Sequence, residues 1–262
     1  MQHEFNVREI TLFKTLSFLA FICVSMTCWA QTDTHESSKK SVSIITASSV
    51  APYIIRENNK GIVSDLITEI FAQAGYTVNL SYASNKRLQK QMLDHSVDGA
   101  FNFPEGDARN LYSTEPIVTY QNIAITNTNS NITIDKIEDL RGRNIAAFQN
   151  ASKYLDPEYA DAVKNNEHYF EINEQIHQLY MLDKKRVDVI VMDKKIYQYY
   201  YQKVYAGKKN KPQHTLHNIF KPTNMVAVFH DEKLRDIINS GLEEFHKNGH
   251  FDEIEARYIH KN

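Results

Sequence analysis

Apolar and polar positions along the chain alternate between short β-branched runs and amphipathic stretches. The first such series runs strand, helix, strand, helix, strand, in the segments SVSIITASS, SDLITEIFAQAGY, TVNLSY, SNKRLQKQMLDHS and VDGAFNF. In the first helix, Ser64 can cap the start and Gly75 can end it. This order is typical of a mostly parallel sheet that is covered by helices.

A second series has the same order, in the segments NIAAF, ASKYLDPEYADAV, HYFEI, NEQIHQLYMLDKK and VDVIVM. The stretches MLDHSVDGAF and MLDKKRVDVIV both lead from a helix end through Val-Asp into a strand, with Val97 and Val187 at matching places. Chance explains this echo about as well as a true internal repeat does. It still suits two similar α/β lobes.

Two extended segments, Ile123–Arg143 and Asn218–His230, can carry the chain between the lobes. The last segment is helical, is broken near Gly249, and packs back on the first lobe. We therefore predict that lobe 1 comprises residues 41–124 and 219–262, and that lobe 2 comprises residues 125–218. A cleft between two lobes is a preferred place for a ligand.

Residues 1–30 have the layout of a secretory signal peptide, with a basic flank, the apolar run TLSFLAFICVSM and small residues before a cut after Ala30. An uncleaved anchor is the alternative, although the run is short for a membrane span. A lipoprotein cut before Cys23 or Cys28 fits less well. Residues 31–40 are polar and predict a flexible leader.

Composition narrows the classes of function. Cys23 and Cys28 are the two cysteines of the chain and both leave with the signal, so the exported protein has no thiol chemistry and no disulfide. Lys and Arg number 30 and Asp and Glu 32, without a long basic block, which argues against nucleic-acid binding. We expect a soluble periplasmic monomer without a metal or cofactor, since the paired histidines lack a third ligand signal.

Five motifs in order resemble one family. They are APYIIRENNKGIVSDLITEIFAQAGY, VDGAFNFPEGDAR, YSTEPIVTYQNIAI, IEDLRGRNIAAFQNAS and RVDVIVMD, and they span about Ser41 to Ile259. The chain resembles the family 3 bacterial periplasmic solute-binding proteins of polar amino-acid ABC transporters. That resemblance implies a type II periplasmic binding fold, which is α/β with two lobes, mostly parallel sheets and two hinge crossings. The ligand-binding domains of ionotropic glutamate receptors share this fold.

Arg109 is the candidate carboxylate ligand in lobe 1. A guanidinium offers two parallel donors and a charge that does not titrate, and the resemblance places such an Arg at this position. The plainer alternative is a solvated loop cation. The family often has Ser or Thr where Pro104 and Gly106 stand, so Pro104 would line the ligand without a hydroxyl contact.

Three further candidates surround the predicted cleft. Asp193 ends a strand where open α/β sheets bind ligands, and the resemblance implies that it takes an ammonium group; a helix N-cap is the alternative. Tyr53 would stack over the ligand, or pack in the core. Ser152 opens a helix whose free N–H groups would bind the ligand carboxylate, or it is a plain N-cap.

The resemblance implies binding of an amino acid or related carboxylate in the cleft, for delivery to the membrane permease of an ABC transporter. Two alternatives remain. One is a dehydratase-like periplasmic enzyme on the same fold, with Glu105 or Asp107 as its acid or base. The other is a sensory binder that reports to a receptor.

Overall fold

The strands and helices of the computed structural model follow the predicted order closely. The structure describes residues 40–46, 49–104 and 110–259, without the side chains of residues 85, 86 and 104. The proposed signal peptide, residues 31–39 of the leader, and Arg109 lie outside the described residues. Within the described part, no helix is long and apolar enough to cross a membrane.

The strands are β1 Lys40–Thr46, β2 Tyr76–Tyr82, β3 Gly99–Pro104, β4 Tyr112–Ser113, β5 Val118–Tyr120, β6 Asn122–Asn127, β7 Ile145–Phe148, β8 Tyr169–Ile172, β9 Val189–Asp193, β10 His214–His217 and β11 Thr223–Phe229. The α-helices are α1 Ile62–Gln73, α2 Asn85–Leu93, α3 Ala151–Tyr154, α4 Pro157–Val163, α5 Ile176–Asp183, α6 Lys194–Tyr205, α7 Glu232–Asn248 and α8 His250–Ala256. Short 3-10 turns lie at Arg56–Asn58, Thr128–Ser130 and Ile137–Leu140.

Lobe 1 is built on a sheet of order β2-β1-β3-β11-β4, with β5 paired to β11. β2, β1 and β3 are parallel, while β11 runs antiparallel to β3, β4 and β5. Helices α1, α2, α7 and α8 pack on this sheet and on each other. The apolar face of α1 is buried, as its 3.6-residue pattern predicts.

Lobe 2 is built on a sheet of order β10-β6-β9-β7-β8 and carries α3 to α6. β7 is parallel to β8 and β9, whereas β6 is antiparallel to β9 and β10. Every residue of β9 is buried, which is the pattern of a strand covered on both faces. In both sheets the antiparallel strands include those that carry the chain between the lobes.

The two crossings lie beside each other. The chain leaves lobe 1 from β5 through Gln121 into β6, and returns from β10 through residues 218–222 into β11. The Gln121 amide Nε2 donates to the carbonyls of Phe220 and Asn122, at 2.9 and 3.0 Å. One side chain therefore joins both crossings.

The Val-Asp echo has a structural counterpart. Asp98 accepts from the amide and hydroxyl of Ser43, at 2.7 and 2.6 Å. Asp188 accepts from the amide and side-chain nitrogen of Asn144, both at 3.0 Å. In each lobe, an Asp at the start of one strand ties down the neighbouring parallel strand, as expected of turn residues that fix strand entry.

One local prediction was wrong. Helix α1 begins at Ile62 after Gly61, so Ser64 lies inside the first turn and its hydroxyl has no hydrogen-bond partner among the described residues. The segment ASKYLDPEYADAV is largely helical, as predicted, and it is divided into two helices because Leu155 is extended and Pro157 opens a new helix.

The tyrosines of α6 pack around one buried histidine. His214 on β10 bonds to the Tyr197 hydroxyl through Nδ1, at 3.1 Å, and to the Asp183 carboxylate through Nε2, at 3.0 Å. The Tyr205 hydroxyl donates to the same carboxylate. Burial lowers the pKa of His214, against the opposing effect of Asp183. These contacts fix α5 and α6 to the edge of the lobe 2 sheet.

Candidate functional site

Asp193 lies where lobe 2 meets the first crossing. It is the last residue of β9, pairs with Asn122 of β6, and has an exposed fraction of 2%. Its Oδ1 accepts from the amides of Lys195 and Ile196, at 2.8 and 3.0 Å, so it caps α6. The carboxyl end of a central parallel strand thus holds a buried acid beside the other lobe.

Tyr53 approaches Asp193 from lobe 1. Its ring is 0% exposed, and its hydroxyl donates to Asp193 Oδ1 at 2.9 Å. Burial, followed by the charge of Asp193, raises the pKa of Tyr53, so the phenol stays protonated and donates. Burial also raises the pKa of Asp193, although the bonds from Ile196, Tyr53 and the crossing oppose that effect. The structure therefore brings together two of the predicted site residues.

Tyr120 extends this contact towards the loop that carries Arg109. Its ring lies 4.4 Å from that of Tyr53, tilted by 35°, and its hydroxyl donates to Asn102 Oδ1 at 2.7 Å. Asn102 has a φ of 70° and is the extra residue of a β-bulge in β3, two residues before Pro104, because consecutive residues of β11 pair with the residues on either side of it. Bulges bend a strand and re-aim its end, so the Tyr120 hydroxyl bonds to β3 at the residue where that strand bends.

Gln121 is a site residue that sequence reasoning missed. Its amide N donates to Asp193 Oδ2 at 2.8 Å, while its side chain joins the two crossings. A lone Gln between two strands carries no chemical signal in the sequence. Its role follows only from the pairing of β6 with β9.

Ser152 donates to a carboxylate of the same chain, that of Glu171. Its amide and hydroxyl donate to Glu171 Oε1, at 3.0 and 2.7 Å, and the amide of Asn150 donates to Oε2 at 2.7 Å. The Tyr169 hydroxyl adds a bond of 2.8 Å. Burial alone would raise the pKa of Glu171, but the bonds from Ser152, Tyr169 and Asn150 outweigh it and lower the pKa.

Sequence reasoning missed Glu171 as well. It lies on β8 with Ala147 of β7 as its register partner, and β7 leads directly into the Asn150 turn. Asn150 takes a φ of 65°, a left-handed conformation that Asn tolerates. The turn predicted to receive a ligand carboxylate holds the chain's own carboxylate.

The structure describes the backbone of Pro104 but does not describe Arg109. Pro104 is the last residue of β3 and its backbone is paired with Met225. Arg109, Gly106 and the two acids considered for catalysis lie outside the described residues. Their roles remain predictions from the sequence.

Lobe 1 and lobe 2 are joined by a second polar contact. The Lys195 ammonium at the start of α6 forms an ion pair with the Glu255 carboxylate on α8. Both side chains are partly buried, with exposed fractions of 29% and 16%. The contact between the lobes at this place therefore includes a buried hydrogen bond and a neighbouring ion pair.

Comparison with known proteins agrees with this architecture. The family model of the bacterial extracellular solute-binding proteins, family 3, matches residues 42–261. No curated protein matches the chain.

Solved structures share the fold at low identity. A substrate-binding protein of an ABC uptake transporter from Streptococcus pneumoniae, with bound histidine, is 21% identical with a TM-score of 0.63, over 86% of this chain and 94% of its own. A polar amino-acid substrate-binding protein from Streptococcus thermophilus is 19% identical with a TM-score of 0.61, over 85% and 87%. The GluR0 ligand-binding core from Nostoc punctiforme, in complex with L-glutamate, is 17% identical with a TM-score of 0.62, over 83% and 98%. The predicted two-lobe fold is confirmed.

Proposed function

Since the chain belongs to the bacterial extracellular solute-binding proteins, family 3, we propose that it binds an amino acid or a related small carboxylate in the cleft between its lobes. The observation that carries this proposal is the buried Asp193 carboxylate, which ends β9 and faces lobe 1. A charged acid at this edge suits an ammonium group. Histidine and L-glutamate bound to similar folds support the same ligand class.

In this proposal, Asp193 receives the ligand ammonium in exchange for the Tyr53 hydroxyl. Arg109 receives the carboxylate, because guanidinium offers a bidentate donor pair whose charge does not titrate. The Ser152 turn can add donors only if Glu171 leaves it. Tyr53 and Pro104 would line the ligand.

The ligand would exchange the protein between open and closed states by a hinge at the two crossings. Gln121 is central to that hinge because it bonds both crossings and Asp193. The closed form would dock as a monomer on the permease of an ABC transporter. We propose binding without turnover, so the ligand should be recovered unchanged after incubation with the protein.

A thermal-shift screen of the twenty amino acids and small carboxylates tests this function. A ligand that binds the native state raises the melting temperature, and the Arg109→Ala variant should lose most of that shift. Arg87→Ala is a matched control, since Arg87 is exposed on α2 in the same lobe. Equal shifts in the parent and in Arg109→Ala would show that the carboxylate assignment is wrong.

Export to the periplasm is part of the same proposal. Cleavage after Ala30 would remove both cysteines. The exported protein should begin at Gln31 by N-terminal sequencing and should give no thiol in a titration of the unfolded chain. A cysteine in the exported protein would contradict this cut.

A further inference from the structure

Tyr53 is held firmly in lobe 1 by its own backbone. Its carbonyl accepts from the Val63 amide at 3.0 Å, and the Pro52 carbonyl accepts from the Ile62 amide at 2.9 Å. Gly61 has a φ of 124°, and a Cβ there would lie 2.4 Å from the Tyr53 carbonyl oxygen. The start of α1 and a glycine therefore fix where this ring can point.

Asp193 is held as firmly in lobe 2. It ends the central strand β9 and is bonded to two amides of α6. The bond from the Tyr53 hydroxyl to Asp193 Oδ1 therefore joins the two lobes. We call it the Tyr53–Asp193 bridge.

The Asp193 oxygen that faces lobe 1 is Oδ1, and its hydrogen-bonding capacity is filled. A carboxylate has about four acceptor sites on its two oxygens, and Oδ1 alone accepts from the Tyr53 hydroxyl and from the amides of Lys195 and Ile196, whereas Oδ2 accepts from the Gln121 amide. The amides belong to α6 and to the first crossing, so none can leave without unmaking local structure. The hydroxyl is the one side-chain donor to Asp193 among the described residues.

A ligand ammonium that approaches from the lobe 1 side would need the same oxygen, Oδ1, because Oδ2 faces the amide of the first crossing. Like the phenol hydroxyl, the ammonium is a hydrogen-bond donor that would reach Asp193 from the cleft. Its positive charge strengthens the bond to a carboxylate. The hydroxyl and the ammonium are therefore alternatives at one acceptor. The Lys195–Glu255 ion pair keeps the same lobes together beside it.

We propose that the Tyr53 hydroxyl is an internal competitor of the ligand ammonium, which closes the cleft before a ligand arrives and sets the affinity for amino-bearing ligands. This inference rests on the proposed function and adds a specificity-determining residue to it. An amino acid must exchange its ammonium for the hydroxyl, whereas a deaminated analogue leaves the bridge in place.

The test compares Tyr53→Phe with Tyr76→Phe. Both variants lose one phenolic oxygen from lobe 1, but Tyr76 begins β2 and its ring packs against Phe71 of α1. The probes are matched pairs, L-glutamate with glutarate and L-histidine with imidazole-propionate. Affinities are measured by calorimetry, and lobe closure without ligand by small-angle X-ray scattering.

In Tyr53→Phe, we expect the affinity ratio of amino acid to deaminated analogue to rise about tenfold, the effect of one hydrogen bond to a charged group. The ratio cancels any general effect on closure. We also expect a larger radius of gyration for the unliganded variant. Tyr76→Phe should match the parent in both measurements.

Binding with an unchanged ratio, or an unchanged radius of gyration, would overturn the internal competitor and leave the proposed function intact. Failure of all four probes to bind any of the proteins would overturn the internal competitor, whereas the proposed function is overturned only if the screen of the twenty amino acids and small carboxylates also finds no ligand.

A measurement on the parent tests the proposal even if the Tyr53→Phe variant does not fold. The carboxyl ¹³C resonance of Asp193, assigned with Asp193→Asn, should move with the amino acid and stay in place with its analogue. Equal responses to both probes would contradict the proposal.

Discussion

Single carboxylates in this protein are satisfied by its own donors at the places where a ligand was expected. Asp193 accepts the Tyr53 hydroxyl and three amides, and Glu171 accepts the donors of the Ser152 turn. Both carboxylates therefore have hydrogen-bond donors before any ligand binds. Ligand binding at Asp193 or at the Ser152 turn is an exchange of hydrogen bonds, with a net gain smaller than the new bonds alone would give.

The carboxylate of Glu171 should stabilise lobe 2. Glu171→Ala leaves the amides of Asn150 and Ser152 without their partner, and we expect a loss of about 1–2 kcal/mol, the range of a lost helix cap. Urea denaturation measures it. Glu167→Ala removes the same charge from the exposed loop before β8 and should cost little. Equal losses would mean that net charge, not the turn, decides the effect.

The contact of α8 with α1 should depend on pH through His250 and Glu69. Bonds to Glu69 and Glu253 raise the pKa of His250 above 6.5. Burial acts to raise the pKa of Glu69, but bonds from Arg257 and His250 outweigh it and hold the pKa below 4.5. The stabilisation that the charged His250 contributes is fully present below about pH 6.5 and is lost as pH rises through its raised pKa. The stabilisation that the charged Glu69 contributes is present above about pH 4.5 and is lost as pH falls through its lowered pKa.

His250→Gln should therefore lower the melting temperature at pH 6 and leave it nearly unchanged at pH 9. Thermal unfolding followed by circular dichroism at the two pH values gives the comparison. A deficit that is the same at both pH values would contradict the role of the charged imidazole.

Helices α1 and α7 approach so closely that a glycine is required between them. A Cβ on Gly241 would lie 2.4 Å from Cγ2 of Ile70, a buried side chain on the face of α1 that meets α7. Crowding of this kind costs more than a helix gains by replacing glycine with alanine. The spacing of the two helices thus depends on one small residue.

Gly241→Ala should lower the free energy of unfolding by about 1–3 kcal/mol, the usual cost of overpacking a core. Ser240→Ala, one position earlier on the exposed face of α7, should be neutral or slightly stabilising. Urea titrations of the three proteins measure the difference. A Gly241→Ala variant as stable as the parent would mean that α1 and α7 can move apart at no cost.

At the scale of the whole molecule, the two lobes are bonded to each other where the crossings, Asp193 and Tyr53 meet. Gln121 joins the crossings, and Lys195, two residues after Asp193 in the chain, forms the ion pair with Glu255. A ligand between the lobes would add contacts to both of them at once. Ligand binding should therefore raise the free energy of unfolding of the two lobes together.

A ligand at about one hundred times its dissociation constant should stabilise the native state by about 2.7 kcal/mol. For a chain of this size, that corresponds to a rise in melting temperature of about 5–10 °C. Differential scanning calorimetry over a ligand titration measures the rise and its dependence on concentration. A rise that stops growing while the ligand is still being added well above saturation would contradict simple binding to the native state.

The order of elements was determined by the sequence itself. The 3.6-residue period places α1 correctly and the continuous apolar run places β9, while the break at Gly249 follows from its left-handed conformation, with a φ of 83°. These features depend on contacts that each residue makes with its near neighbours in the chain. The motif order also pointed to the family, which the family model confirms over residues 42–261.

The tertiary structure decided which groups meet. Tyr53 and Asp193 are 140 positions apart, and Ser152 and Glu171 are 19 apart, so no local pattern couples them. Their bonds depend on strand register and on the placement of two lobes, which burial across the whole chain sets. The sequence could therefore nominate Tyr53, Asp193 and Ser152 as site residues, and only the folded chain revealed that its own hydroxyl and carboxylate bind two of them.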